Sequence, residues 1–234
     1  MVCVLKRVLV LAIILYGNVQ ISGKLCKQSD SSCLAKAAEK NYKMFVDKYK
    51  LDPYHIERVQ GHISNQFNFD LRNITLHGLK NCKAVQLSIS KNNAVTEKLQ
   101  CPELYFDSFY KINGTVGGIN VDGFMGTYRV TSDSVEVTFT GKAVSFKKDN
   151  ESYISIRNCT PEIDIKGKSK IGNLNETKAN TNDAQAVDDK ANGKNQNVLK
   201  AESKATFKKL FDDVCMKLAD YLNNTPKSVT LSDD

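Results

Sequence analysis

The amino-acid sequence predicts an α+β protein: a helix, a long series of antiparallel strands, then a second helix. Three observations carry that prediction. Apolar residues recur at spacings of three and four near both ends of the chain. Between the ends the apolar period changes to two. Cysteines are spread through all three regions, where bridges could staple them together.

The first segment, residues 1–23, reads as a signal peptide. Lys6 and Arg7 form a short basic region, Val8–Leu15 is apolar, and the small residues Ser22 and Gly23 suit a cleavage site. The apolar run is much shorter than the ~20 residues that span a bilayer, and no second long apolar run follows. Residues 24–234 are then expected to form a single secreted domain, with no stable membrane insertion, as a monomer. The 33 basic and 26 acidic residues leave a formal charge of +7, carried by lysines scattered among acids. Such a balance solvates a surface and gives no basic patch for nucleic acid.

Cys3 would leave with the signal peptide, and an even set remains: Cys26, Cys33, Cys82, Cys101, Cys159 and Cys215. In an exported chain these read as disulfides. Cys26 and Cys33 are near enough to clip an N-terminal loop. Cys82 and Cys101 flank two alternating runs around Lys91-Asn92-Asn93. A chain that folds back there brings them opposite one another, where Cβ atoms lie ~4.5–5.5 Å apart. Cys159 is left to pair with Cys215.

Ser31–Tyr49 is the first helix: Leu34, Ala38, Tyr42, Phe45 and Tyr49 share one face, and Asp52-Pro53 ends the element. From about Ile56 the pattern is strand-like. Phe67, Phe69 and Leu71 alternate, then Ile74 and Leu76 alternate in the opposite phase, so a bulge is expected near Asn73. Val85, Leu87 and Ile89 follow, then Tyr110, Ile112 and Val116, then Val135, Val137 and Phe139, then Ile154 and Ile156, and last Ile163 and Ile165. Glycines 114, 117, 118, 123 and 126 suit sharply bent strands. Gly172–Asn197 is rich in asparagine and nearly free of large apolar residues, and is expected to be a mobile loop. The final helix carries Phe207, Leu210, Phe211, Val214, Leu218, Tyr221 and Leu222 in one stripe, stopped before Pro226.

Several of these motifs together resemble a known family. Cys26-x6-Cys33 opening an amphipathic helix, Leu51-Asp52-Pro53 after it, and Leu71-Arg72-Asn73-Ile74-Thr75-Leu76-His77-Gly78-Leu79-Lys80-Asn81 are similar to stretches of the insect haemolymph juvenile hormone binding and takeout proteins. Cys159 and Cys215 are similar to a second bridge of the hormone-carrier branch. The resemblance implies a long helix wrapped by a strongly curved antiparallel sheet, a tubular lipid-binding fold with an apolar tunnel. It further implies release into haemolymph or another extracellular fluid. The Cys82/Cys101 pair and the asparagine-rich segment depart from the family pattern. Within Thr127–Lys148 no residue aligns with the tyrosine that holds the hormone's epoxide, Tyr128 being the nearest in sequence.

Catalytic signatures are missing from the sequence. It contains no GxSxG, no HExxH and no phosphate-cradling glycine loop, and Asp212-Asp213 are helix neighbours that cannot face each other. The expectation is a protein that is not an enzyme and has no cofactor or metal. The favoured function is a secreted carrier of a small hydrophobic ligand, juvenile hormone or a related terpenoid or fatty-acyl signal. The alternatives are an interaction glycoprotein of the same fold without a cavity, and a lipid-surface binder in defence. Candidates for the tunnel wall are Phe67, Phe69, Val85, Leu87, Tyr128 and Phe139, although any one such residue is more often plain core. Asn73, Asn113, Asn150, Asn175 and Asn223 head Asn-x-Ser/Thr sequons open to glycosylation; Asn158 heads another but abuts Cys159.

Overall fold

The computed structural model describes residues 18–21, 24–27, 30–64, 67–90, 92–116, 119–176 and 196–224. Most of the expected signal peptide therefore lies outside the described residues. Its end, β1 (Asn18–Ile21), pairs with β2 (Lys24–Lys27) in a small two-stranded ribbon.

Helix α1 spans Ser31–Lys48. The Asp30 carboxylate caps it by accepting from the Cys33 N–H at 3.0 Å, which satisfies one of the free donors of the first turn. Leu34, Ala37, Ala38, Tyr42, Phe45 and Val46 are its buried stripe.

An eight-stranded antiparallel sheet follows, and it does not close. Its strands are β3 (Tyr54–Ser64), β4 (Phe67–His77), β5 (Lys83–Ile89), β6 (Ala94–Val116), the short β7 (Ile119–Asn120), β8 (Phe124–Lys148), β9 (Glu151–Ile165) and β10 (Ser169–Glu176). Strands β6 and β8 pair with each other along most of their length and are long enough to take two further strands each along the other edge. β6 pairs with β5 through its first half and with β4 through its second. β8 pairs with β10 and then with β9, and Ser134 takes φ +51° where one neighbour gives way to the other.

Helix α2 (Gln196–Asn224) lies against this sheet. It packs on β8, β9 and β10 and also on β3, at the opposite end of the strand order, so the sheet curls around it. Phe207, Leu210, Phe211 and Val214 are buried, each worth about 1.5–3 kcal/mol relative to exposure. Phe207 meets Phe106 and Phe211 meets Phe139, both edge-on.

Bulges bend the sheet. The β4–β6 register shifts between Arg72 and Thr75, with Asn73 at φ +51°, which is where the change of apolar phase predicts a bulge. Of the glycines expected to bend strands, Gly114 has positive φ near the end of β6 and Gly123 in the turn before β8, Gly126 is a buried position within β8, and Gly117 and Gly118 lie outside the described residues. Polar residues that tolerate the left-handed region, Asn73, Ser134 and Asn158, stand at the kinks within the strands.

The segment around Gly78 ties three elements together. The Asp52 carboxylate accepts from the N–H groups of Gly78 at 3.2 Å and Lys80 at 2.8 Å, and the Tyr42 hydroxyl of α1 donates to the Leu79 carbonyl at 3.2 Å. Two motifs distant in sequence, Leu51-Asp52-Pro53 and Gly78-Leu79-Lys80, thus form one structural node. Gly78 has φ +103°, and a Cβ there would sit 2.5 Å from the Glu103 carbonyl oxygen. Gly78→Ala is expected to cost roughly 1–3 kcal/mol, read as a lower urea midpoint with unchanged slope.

Disulfides Cys82–Cys101 and Cys159–Cys215 are formed. Cys33 is also disulfide-bonded, while the side chain of its expected partner Cys26 lies outside the described set. The segment expected to be a mobile loop needs correction at both ends. Residues 172–176 belong to β10, held by main-chain pairing to β8 that needs no apolar side chains, and residues 196–197 begin α2. Residues 177–195 lie outside the described residues.

Candidate functional site

A cavity of about 170 Å³ lies between α1, β5, β6, β8, β9 and the C-terminal half of α2. The curl of the sheet makes it: α1 lies over β5, α2 runs inside, and the two helices do not fill the space between them. α1 contributes Ala38, Asn41, Tyr42 and Phe45; the hairpin of β5 and β6 contributes Leu87, Ile89, Val95 and Glu97. Phe139 and Ala143 of β8, with Ile154 and Ile156 of β9, form the opposite wall. Val214, Leu218, Tyr221 and Leu222 of α2 complete it. The C-terminal ends of the two helices also meet directly: the rings of Phe45 and Tyr221 are 5.7 Å apart, and Tyr49 donates to Asp220 at 3.3 Å.

Polar groups are few on this wall. The Tyr42 hydroxyl is committed to the Leu79 carbonyl, and burial together with the nearby acids Glu97 and Asp52 raises it far above a normal tyrosine. Glu97 is half-buried, and desolvation lifts its carboxyl from the usual range to about 7. Among the described residues no cation or hydrogen-bond donor meets it.

The structure divides the candidate wall residues. Leu87 and Phe139 line the cavity. Val85 does not: the β5–β6 register shifts between Ala84 and Gln86, which throws Val85 outward to 40% exposure. Phe69 is buried core at the far end of β4, with its ring filling the space above Gly61. Tyr128 is buried away from the cavity, where its hydroxyl donates to the Glu202 carboxylate of α2. The side chain of Phe67 lies outside the described set. Sequence reasoning passed over Glu97, although it stands in the inward phase of Val95, Glu97 and Leu99 while Lys98 pairs with Glu136 on the other face.

The two halves of α2 face different surroundings. Its C-terminal half borders the cavity, whereas its N-terminal half buries Glu202, Ser203 and Thr206. Burial raises Glu202 to about 7, against the opposing effect of the Tyr128 hydrogen bond. Nearby strands contribute a second buried polar contact, Ser132 Oγ to Ser169 Oγ at 2.8 Å.

Of the glycosylation candidates, Asn73 is exposed at the bulge within β4 and Asn150 at the turn between β8 and β9. Asn113 uses its side-chain oxygen to accept from Gly123 N–H at 2.9 Å, and Asn223 is half-buried on α2. Asn175 belongs to β10 rather than to a loop, and its side chain is outside the described set. Among the described residues, no group of His, Cys, Asp or Glu could hold a metal ion, and no helix is long and apolar enough to cross a membrane.

A long helix inside a curled, open antiparallel sheet, with an apolar cavity beside it, defines an α+β protein of the takeout fold. The crystal structure of Epiphyas postvittana Takeout 1 superimposes with a TM-score of 0.76 at 14% identity, covering 88% of this chain and 96% of that one. The family model described as haemolymph juvenile hormone binding protein matches residues 8–226, and the chain belongs to that family. A lipopolysaccharide binding protein matches more loosely, with a TM-score of 0.44, 12% identity, and coverage of 85% of this chain and 39% of that one. No curated protein matches.

Proposed function

We propose that the chain is a secreted carrier that holds one small hydrophobic ligand in the cavity between α1, the β5–β6 hairpin, β8, β9 and α2. The observation that carries this reading is the cavity wall, apolar side chains from six elements with few polar atoms among them. Such a wall binds by removing apolar ligand surface from water, and a polar group on it fixes orientation. The volume of about 170 Å³ is below the ~300–1,000 Å³ of most ligand pockets, which favours a slender chain over a fused ring system. The ligand class we assign to it is that of juvenile hormone, a related terpenoid or a fatty-acyl signal. Membership of the juvenile hormone binding family supports the same class. Disulfides that persist in an oxidising compartment support export.

A ligand that binds only the folded state raises its stability by mass action, by ~2.7 kcal/mol at one hundred times Kd. For a domain of this size that is a rise of roughly 5–10 °C in Tm. Juvenile hormone, terpenoid alcohols and fatty esters are the panel, with polar molecules of equal size as controls. Leu218→Asp places a charge in the cavity wall and should remove the shift, with circular dichroism confirming the fold. If no member of the panel shifts the properly oxidised protein, the carrier reading is wrong and an interaction protein without a cavity replaces it.

A further inference from the structure

Glu97 occupies a position where the strand pattern calls for an apolar residue. Its Cα is paired with Leu87 on β5 and with Phe139 on β8, and both of those side chains line the same cavity. Its neighbour Lys98, one residue on and therefore on the opposite face, is satisfied by Glu136 at 3.1 Å. Glu97 has no such partner among the described residues. The titratable or polar side chains that share its cavity are Tyr42 and Asn41 from α1 and Tyr221 from α2; β5, β8 and β9 present only apolar ones. The Tyr42 hydroxyl already donates to Leu79, so it is not available to Glu97. A carboxyl partly withdrawn from water without a partner is unfavourable, and is relieved when something in the cavity donates to it.

We propose that Glu97 reads the polar end of the ligand, so that the cavity takes an aliphatic or terpenoid chain ending in a hydrogen-bond donor, a hydroxyl or an amine, in preference to the ester or the acid of the same chain. The inference rests on the carrier reading above and narrows its ligand. A hydroxyl donates to the carboxylate, and an ammonium donates and neutralises it. An ester or epoxide only accepts, so it can bond the neutral acid but not the carboxylate. A second carboxylate would be repelled. Because burial alone sets the Glu97 carboxyl at about 7, a measurement at pH 8 finds it mostly ionised and the contrast among head groups at its largest.

The test is displacement of the fluorescent probe N-phenyl-1-naphthylamine at pH 8 by decanol, decylamine, methyl decanoate and decanoic acid. Decanol and decylamine are expected to bind roughly tenfold or more tightly than the ester and the acid, the worth of one hydrogen bond to a charged group. Glu97→Leu should level the four, with circular dichroism and Tm showing an intact fold. Glu97→Gln should keep decanol, since the amide oxygen still accepts, and bring decylamine down to its level. Equal binding of all four ligands to the wild type, or a preference for donors that survives Glu97→Leu, overturns the inference and leaves the carrier reading in place. Failure of every ligand to displace the probe, together with no shift in Tm, removes both.

Discussion

Urea unfolding at pH 7.5 is expected to give a lower free energy of unfolding than at pH 4.5, and Glu202 is the main cause. Its carboxyl is buried beside Tyr128, and desolvation raises it from 4.5 to about 7 in the folded protein. Between those values the folded chain binds a proton that the unfolded chain has released. Stability therefore falls as pH rises through the window. The expected loss from this one group is roughly 3 kcal/mol. Glu97, shifted in the same direction to about 7, steepens the fall. Asp70 and Asp164 act oppositely and only at lower pH, because Arg58 and Lys166 hold their carboxyls below the usual range. Their contribution is present above that range and is lost on acidification. Glu202→Gln, whose amide oxygen still accepts from Tyr128, should flatten most of the slope between pH 4.5 and 7.5. A slope that survives the substitution would assign it to other groups.

Replacing Cys159 and Cys215 together by serine is expected to cost about 4 kcal/mol, seen as a lower urea midpoint under non-reducing conditions. The bridge closes a separation of 56 residues, and the entropy it removes from the unfolded chain grows with the logarithm of that length. It also fixes α2 to β9, the strand that presents Ile154 and Ile156 to the cavity, so ligand affinity should fall along with stability. The Cys82–Cys101 bridge closes only 19 residues inside a hairpin that main-chain pairing already holds. Its removal should cost about 3 kcal/mol by the same relation. A larger loss from the shorter loop would show that strain or residual structure in the unfolded chain, rather than loop entropy, governs these bridges.

Features that depend on local periodicity could be read from the residues alone. The face of α1, the bulge near Asn73 and the apolar stripe from Phe207 to Tyr221 all follow from which residues must leave water at a fixed spacing. The hairpin bridge could be read too, because a turn at Asn92-Asn93 fixes which residues lie opposite. The first turns of α2 could not. Their buried residues include Glu202, Ser203 and Thr206, and a polar residue looks solvent-facing until its partner is known. That partner, Tyr128, is 74 positions away. The end of β10 was hidden for a related reason: from Gly172 on, glycine and asparagine offer no apolar pattern, and pairing to β8 is a main-chain matter.

By itself the sequence determined the family, the α+β class, the two stripes that helices must bury and the cysteines that can meet. Each of these depends on spacing along the chain or on the order of short motifs. Only the tertiary structure decided which apolar residues border empty space and which fill the core. Val85 and Leu87 belong to the same alternating run, yet a one-residue slip at β5 sends one outward and the other to the cavity. Phe69 and Phe139 are equally apolar, yet one packs over Gly61 and the other packs edge-on against Phe211 of α2 and borders the cavity. Hydrophobicity dictates that a side chain leaves water. Where it then goes is set by the curl of the sheet and the lie of two helices, which are long-range arrangements that no local pattern encodes.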